Sequence, residues 1–338
     1  MLSDVELGRL RYAADFSVLP RGLGPALAQG AIRTELSDFH VSEDLPFELS
    51  GEGEHLYLHV RKIGQNTRWV AKRMAEALGV AYGAVGFAGM KDRYAVTEQW
   101  FSVHLPGLPD PEPPELEGVE ILQQVRHNAK LRTGAVARNR FRLVIRELQT
   151  DRAKLEQRLA VLPTRGAPNY FGPQRFGRDA ANLELLTRPG RLGREARGFG
   201  LSALRAALFN GYLAMRVMQH SWDAALDGEA SGSQGGGTGL LWGTGQSRST
   251  GRSLELEEAW FSLFPDARQL LESQRVRMMR RSLTLLPTEL EWEFGEGRLT
   301  ISFQLPRGTF ATSLLRELGD FRDASARSTD GSSDSSAA

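Results

Sequence analysis

The sequence predicts an α+β protein in which a helical module interrupts a strand-rich core. Three observations carry this reading: apolar and polar residues alternate within the first 150 positions, helical spacing takes over from about residue 151, and alternation returns near residue 290. The chain has 338 residues, 41% of them hydrophobic, which allows a full core and about two domains. The expected division is 1–160 and 284–322 for the core, 161–283 for the insertion and 323–338 for a tail.

Alternation is clear in "EHLYLHVRK", where Leu56, Leu58 and Val60 face one way, the two-residue period of a half-buried strand. In "NTRWVAKRMAEALG" the period lengthens. Asn66 or Thr67 can cap a helix whose Trp69, Val70, Met74, Ala77 and Leu78 share a face, with Gly79 as its stop. Residues 97–105 and 141–147 read as strands, the second setting Phe141, Leu143 and Ile145 opposite Arg142 and Arg146. From 151 the stripes are helical: Leu155, Leu159 and Leu162, then Leu204, Leu208, Tyr212 and Met215, and core packing accounts for both. Between them "NYFGPQRFG", 169–177, has no clean period and is expected to be a loop. Residues 231–251 hold eight glycines among 21 and read as a flexible or tightly turning connection. "PDARQLLESQRVRMMRRSL" reads as a helix bearing Arg275, Arg277, Arg280 and Arg281, more simply a solvated face than a binding surface. "ELEWEF" and "RLTISFQL" around "GEG" read as a hairpin. Residues 323–338 lack apolar anchors and are expected to be disordered.

Basic and acidic residues nearly cancel, 42 against 41, so their distribution is more informative than their sum. Residues 110–120 hold five acids and no base, whereas 121–146 hold seven Lys or Arg and no acid. The basic stretch could track a phosphate backbone, or it could be an exposed strand and loop with solvated arginines. The absence of Cys excludes disulfides, thiolate nucleophiles and Cys-based zinc sites. The opening "MLSDVELGRLRYAADF" is broken by charges and no run approaches membrane-spanning length, so a cytoplasmic location is expected. His55 and His59, the closest His pair, would lie about 13 Å apart on a strand, too far for one ion with bonds of about 2 Å, and no metal site is expected. With no Gly-Lys-Ser/Thr loop, no strand-to-helix dinucleotide unit and no Gly-x-Ser-x-Gly elbow, ATP, dinucleotide and serine-hydrolase chemistry are all poorly supported.

What remains is a lone carboxylate. Asp92 stands in "GFAGMKDRYAVTEQW", 86–100, between Lys91 and Arg93, behind a Gly-rich apolar turn. Taken alone it reads as a solvated turn residue. A lone Asp can still act as nucleophile or general base if a fixed cation keeps it ionised and aimed, and such chemistry needs no cofactor.

The stretch 86–100 closely resembles the catalytic motif of the TruD family of tRNA pseudouridine synthases. "GEGEHLYLHVRKIGQNTRWVA" at 51–71, "RHNAKLRTGAVARNRF" at 126–141, "NYFGPQRFG" at 169–177, "LRAALFN" at 204–210 and "LPRGTFATSLLREL" at 305–318 resemble family segments in family order. The resemblance implies a pseudouridine synthase catalytic fold, a mixed sheet flanked by helices, with an inserted family-specific α/β domain. It implies a reaction that detaches uracil from ribose, turns it and reattaches it through carbon-5, usually at uridine 13 of certain tRNAs. It implies tRNA as partner, no obligate protein partner, and no metal or organic cofactor. By the same resemblance Asp92 matches the essential aspartate, and Arg33, in "GAIRTELSDFHVSED", matches the basic residue that pairs with it. Phe141 matches the aromatic that stacks on the target base, and Asn139 a polar residue that can hydrogen-bond the base. Lys91 and Arg93 could touch phosphate or tune Asp92, or pair with other exposed side chains. Asn169, Phe171 and Arg175 are candidates for RNA or structural contacts.

Three departures stand out: Tyr94 where His is common, Arg33 in place of the usual Lys, and the Gly-rich 231–251 segment where many relatives carry a longer stretch of insertion. Arg would preserve the pairing, since its guanidinium can bind a carboxylate through two parallel hydrogen bonds. Two other readings remain, a non-catalytic RNA-binding or RNA-chaperone protein on the same fold, and an aspartate-dependent N-glycosidase.

Overall fold

The computed structural model describes residues 2–187, 190, 192–230 and 236–327; the expectations for 328–338, and for 231–235 of the Gly-rich segment, lie outside them. In chain order the elements are α1 (Asp4–Ala14), β1 (Ala28–Ile32), β2 (Phe39–Asp44), β3 (His55–Ile63), α2 (Thr67–Ala77), β4 (Val85–Phe87), β5 (Val96–His104), β6 (Val119–His127), β7 (Arg138–Thr150) and α3 (Arg152–Arg165). They continue with β8 (Ala167–Pro168), α4 (Ala181–Glu184), α5 (Arg194–Met218), β9 (Thr238–Leu241), α6 (Gly251–Phe261), α7 (Pro265–Ser273), β10 (Met279–Ser282) and β11 (Thr284–Leu285). The last are β12 (Thr288–Gly295), β13 (Arg298–Pro306), α8 (Ala311–Leu318) and β14 (Gly319–Asp323).

These elements form two compact units. The first, Leu27–Arg152, Pro287–Gly308 and Gly319–Ala338, is built on a ten-stranded sheet in the order β12-β13-β7-β2-β5-β3-β6, with β1 joining β7 to β14 and β4 paired to β5. Two pairings, β1 with β14 and β2 with β5, are parallel, so the sheet is mixed. Leu56, Leu58 and Val60 are fully buried against Val70, Ala71 and Met74 of α2 and against Phe101 and Val103 of β5. Asn66 caps α2, accepting the Arg68 N–H at 2.8 Å, and Gly79 beyond its end takes φ +64°. Ala77, expected on the apolar face, is exposed; Ala71 and Ala75 hold that place, in step with Thr67, Val70 and Met74 at helical spacing.

On the opposite side of β3 is a row of rings. His55 pairs across the strands with both His104 and His127, stacking on His104 at 4.7 Å, while His59 stacks on Trp100 at 4.7 Å. Burial is the main cause that lowers the pKa of both His55 and His59 from the ordinary value of 6.5; His104 adds to the lowering at His55, while Glu98 and Glu43 oppose it at His59. Their folded pKa values lie below the unfolded ones, so below about pH 6.5 the unfolded chain takes up protons that the folded chain resists, and stability falls with pH. Chemical denaturation at pH 7.5 and pH 5.5 is therefore expected to show a loss at the lower pH that is smaller in a His55→Phe, His59→Phe variant. Equal losses in the two proteins would remove these histidines from the acid response.

The second unit comprises Met1–Ala26, Ala153–Leu286 and Thr309–Leu318. Its axis is α5, whose Leu204, Leu208, Phe209, Tyr212 and Leu213 are fully buried in one cluster with Leu10 of α1. A Cβ on Gly211 would meet the Trp260 ring at 2.4 Å, so only glycine admits that close approach. The bounds of this unit fall elsewhere than the expected breaks at 160 and 283. Ser313 of α8 donates to Tyr170 O at 2.8 Å, and the Tyr170 hydroxyl donates to Pro20 O at 3.1 Å, which ties α8 and the segment after α1 into this unit.

Two local expectations need correction. The helix expected through Arg281 stops at Ser273; Arg275 takes φ +51°, and Met279–Ser282 pair with Thr238–Leu241 as strands. Part of the Gly-rich segment is thus β9 and not only a connection, and Arg280 and Arg281 do not form a solvated helix face. Arg280 bonds Glu257 at 2.7 Å and Arg281 lies 4.0 Å over the Phe171 ring. The disorder expected from residue 323 does not hold for residues 323–327, because Gly319–Asp323 pair with β1 and Ala324–Arg327 form a 3-10 turn. Pairing with β1 satisfies backbone groups that a strand edge would leave open.

Candidate active site

Asp92 lies in the turn between β4 and β5, and buried polar groups hold that turn by its backbone. Thr67, at the first position of α2, accepts the Lys91 N–H at 3.0 Å and donates to Gln99 Oε1 at 2.8 Å. Gln99 Nε2 in turn donates to Gly89 O at 3.3 Å. Lys62 Nζ donates to Asp92 O at 3.0 Å and to Gln65 O at 2.7 Å, although Lys62 is fully buried. Burial pushes its ammonium down to about pKa 8, against the opposing pull of the Asp92 carboxylate. The main chain at Asp92 is therefore fixed without using its carboxylate.

That carboxylate is 39% exposed and accepts from Arg33 Nη2 at 2.8 Å. Arg33 follows β1 directly, takes the left-handed φ of +55°, and keeps a side chain only 6% exposed. Its guanidinium carbon sits 4.1 Å from the Phe39 ring centroid, within cation–π range, and its Nη1 donates to Asp323 Oδ2 at 2.6 Å.

Asn139 and Phe141 are two residues apart on β7 and so share a face. The Phe141 ring stacks on Phe303 at 5.2 Å and meets Phe39 edge-on at 6.4 Å. Asn139 Oδ1 accepts from Lys91 Nζ at 2.7 Å, and the same ammonium pairs at 2.7 Å with Glu43, whose side chain is wholly buried. Asp92, Arg33, Phe141 and Asn139 are thus joined in one network, through Phe39 on one side and Lys91 on the other. Lys91 is an internal strut and not an exposed cation. Arg93 is exposed and donates from Nε to Gly64 O at 3.2 Å.

Asn169, Phe171 and Arg175 belong to the helical unit. Asn169 is buried, donating to Ser282 O at 2.8 Å and accepting from Arg281 at 2.6 Å. Phe171 is buried beneath Arg281, its backbone N–H bound to Asn210 at 2.8 Å. Arg175 is half-buried and donates to Ser202 at 3.0 Å. Among the described residues no group of His, Asp or Glu is placed to hold a metal, and no helix is long and apolar enough to cross a membrane.

Sequence reasoning did not single out Lys62, Glu43 or Asp323, and named Thr67 only as a helix cap. For two of them a signal was present: Lys62 continues the inward register Leu56, Leu58, Val60, and Glu43 continues Phe39, Val41, so each puts a charge where the strand pattern calls for an apolar side chain.

The family model "tRNA pseudouridine synthase D (TruD)" matches residues 25–188. A tRNA pseudouridine synthase D of Xanthomonas axonopodis pv. citri is 41% identical over 92% of this chain and 97% of its own length. The chain belongs to the tRNA pseudouridine synthase D family. A relative of the same name from Methylococcus capsulatus is 40% identical over 90% of this chain and 95% of its own. The Xanthomonas alignment spans 357 positions, more than the 338 residues of this chain, so that relative carries additional residues within the matched span. A crystal structure from Methanosarcina mazei, described as a candidate tRNA pseudouridine synthase D, superposes with a TM-score of 0.69 over 94% of this chain and 98% of its own at 18% identity, and shows that the fold is shared.

Proposed function

We propose that this chain isomerises uridine to pseudouridine in tRNA, with uridine 13 as its target. The observation that carries the reading is the 2.8 Å ion pair between Arg33 and a partly exposed Asp92, linked through Phe39 to Phe141. In the isomerisation the N1–C1′ bond breaks, C5–C1′ forms, C5 loses a proton and N1 gains one. Nothing is oxidised or reduced and no atom is added, so a carboxylate acting at the sugar, as nucleophile or base, suffices without a cofactor. Arg33 holds and aims the Asp92 carboxylate through the 2.8 Å charge-assisted bond. Extruding the uracil costs a few kcal/mol, which stacking of about 1–3 kcal/mol on Phe141 offsets in large part, while Asn139 offers hydrogen bonds to the base. In this reading the sheet unit is the catalytic domain and the helical unit is the insertion, with Arg93 and Arg175 as RNA-contacting cations.

The test is pseudouridine mapping by carbodiimide-dependent reverse-transcription stops on unmodified tRNA incubated with the wild-type chain or with Asp92→Asn. A stop at position 13 with wild type alone is the expected result. Unchanged RNA with binding preserved would favour the non-catalytic RNA-binding reading, and an abasic site would favour the N-glycosidase. Phe141→Ala is expected to lower kcat/KM by about tenfold or more through lost stacking, and Phe141→Tyr to stay close to wild type. Equal losses in both, tracking the melting temperature, would assign Phe141 to packing on Phe303 alone.

A further inference from the structure

We propose that Asp323 is a second positioning carboxylate of this site, aiming Arg33 at Asp92 from the C-terminal strand; the inference rests on the function proposed above. The parallel register of β1 and β14 sets Asp323 opposite Ile32, the residue before Arg33. The guanidinium then divides its two terminal nitrogens, Nη2 to Asp92 at 2.8 Å and Nη1 to Asp323 at 2.6 Å. Two carboxylates and the Phe39 ring at 4.1 Å fix the plane of a group that one carboxylate alone would leave free to swing.

Asp323 is itself held for this task. Its Oδ1 accepts the Ser325 N–H at 3.1 Å and the Ser325 hydroxyl at 2.6 Å, so Oδ2 is turned to Arg33. The left-handed backbone of Arg33, at φ +55°, is a conformation that persists where the surroundings over-determine it, and the clamp between two strands does so. The charge arrangement matters as well as the aim. One guanidinium shared by two carboxylates neutralises neither fully, so Asp92 stays fixed while keeping more of its nucleophilic character than in an exclusive pair.

The experiment measures single-turnover pseudouridine formation, tRNA dissociation constant and melting temperature for the full chain as wild type, Asp323→Ala and Asp323→Asn. The Ala variant, losing both aim and charge sharing, is expected to react about tenfold to a hundredfold more slowly with tRNA affinity within about twofold of wild type. The Asn variant has one oxygen acceptor, which serves Arg33 only with the NH2 turned toward Ser325, where the hydroxyl can rotate to accept it and the Ser325 N–H loses its partner; it is expected to recover part of that loss, remaining about threefold to tenfold slower than wild type with a melting temperature close to wild type. Wild-type rates in both variants would overturn the inference, as would losses in both that follow tRNA affinity or melting temperature. Should the Ala variant not fold, Asn decides: slower at unchanged stability and affinity supports the assignment, and a wild-type rate overturns it. An inactive wild type would overturn the functional reading and this inference with it, whereas an active wild type with indifferent variants overturns the inference alone.

Discussion

Replacing Asp92 by Asn is expected to reduce pseudouridine formation by about 10³-fold or more while leaving folding and tRNA affinity near wild type. The reason lies in how the turn is held. Lys62 bonds the Asp92 carbonyl and Thr67 bonds the Lys91 N–H, so the loop owes its shape to backbone contacts that the substitution leaves intact. The amide oxygen can still accept from Arg33, with the difference that a charge-assisted bond becomes a neutral-acceptor one, a change of about 1 kcal/mol in stability. An amide, by contrast, is neither an effective nucleophile nor a base, and no neighbouring carboxylate can replace Asp92 without moving. Glu43 is buried in its pair with Lys91, and Asp323 is held by Ser325. Single-turnover kinetics checks this directly, and a rate within about tenfold of wild type would remove Asp92 as the reacting group.

The parts of this molecule that were legible in the sequence are those fixed by local pattern. The alternation of Leu56, Leu58 and Val60 and the capped periodicity after Asn66 report the β3–α2 layer because each residue's environment depends on its near neighbours in the chain. The ion pair between Arg33 and Asp92 was reached through motif resemblance, since nothing in the spacing of residues 33 and 92 announces contact. Asp323 was not legible at all. It sits in a Ser- and Asp-rich ending that reads as unstructured, and its order comes from strand pairing with β1, nearly the whole chain away. The run ending in Arg280 and Arg281 was misread for a related reason. Its composition suits a helix, but the strand partner Thr238–Leu241 and the bonds to Glu257 and Asn169 outweigh local propensity.

Lys91→Met is expected to destabilise the fold by about 3–5 kcal/mol, the usual consequence of stripping the partner from a buried charge. Lys91 is 10% exposed and Glu43 not at all, so water cannot take over from the lost ammonium. Glu43 also accepts the Trp100 N–H at 2.8 Å through its other oxygen, which means the residue cannot turn outward without breaking the β2–β5 region. Adding Glu43→Gln to Lys91→Met keeps an acceptor for Trp100 and removes the unpaired charge, and is expected to restore most of the stability in a denaturant titration. Turnover should not recover in the double variant, because Asn139 still lacks the 2.7 Å contact from Lys91 that holds its side-chain amide in place. If the single variant loses less than about 1 kcal/mol, the pair is solvated in solution and the strut assigned to Lys91 fails. If stability returns and turnover does not, the buried pair acts chiefly in placement: it joins Lys91, the neighbour of Asp92, to the strand that carries Asn139 and Phe141.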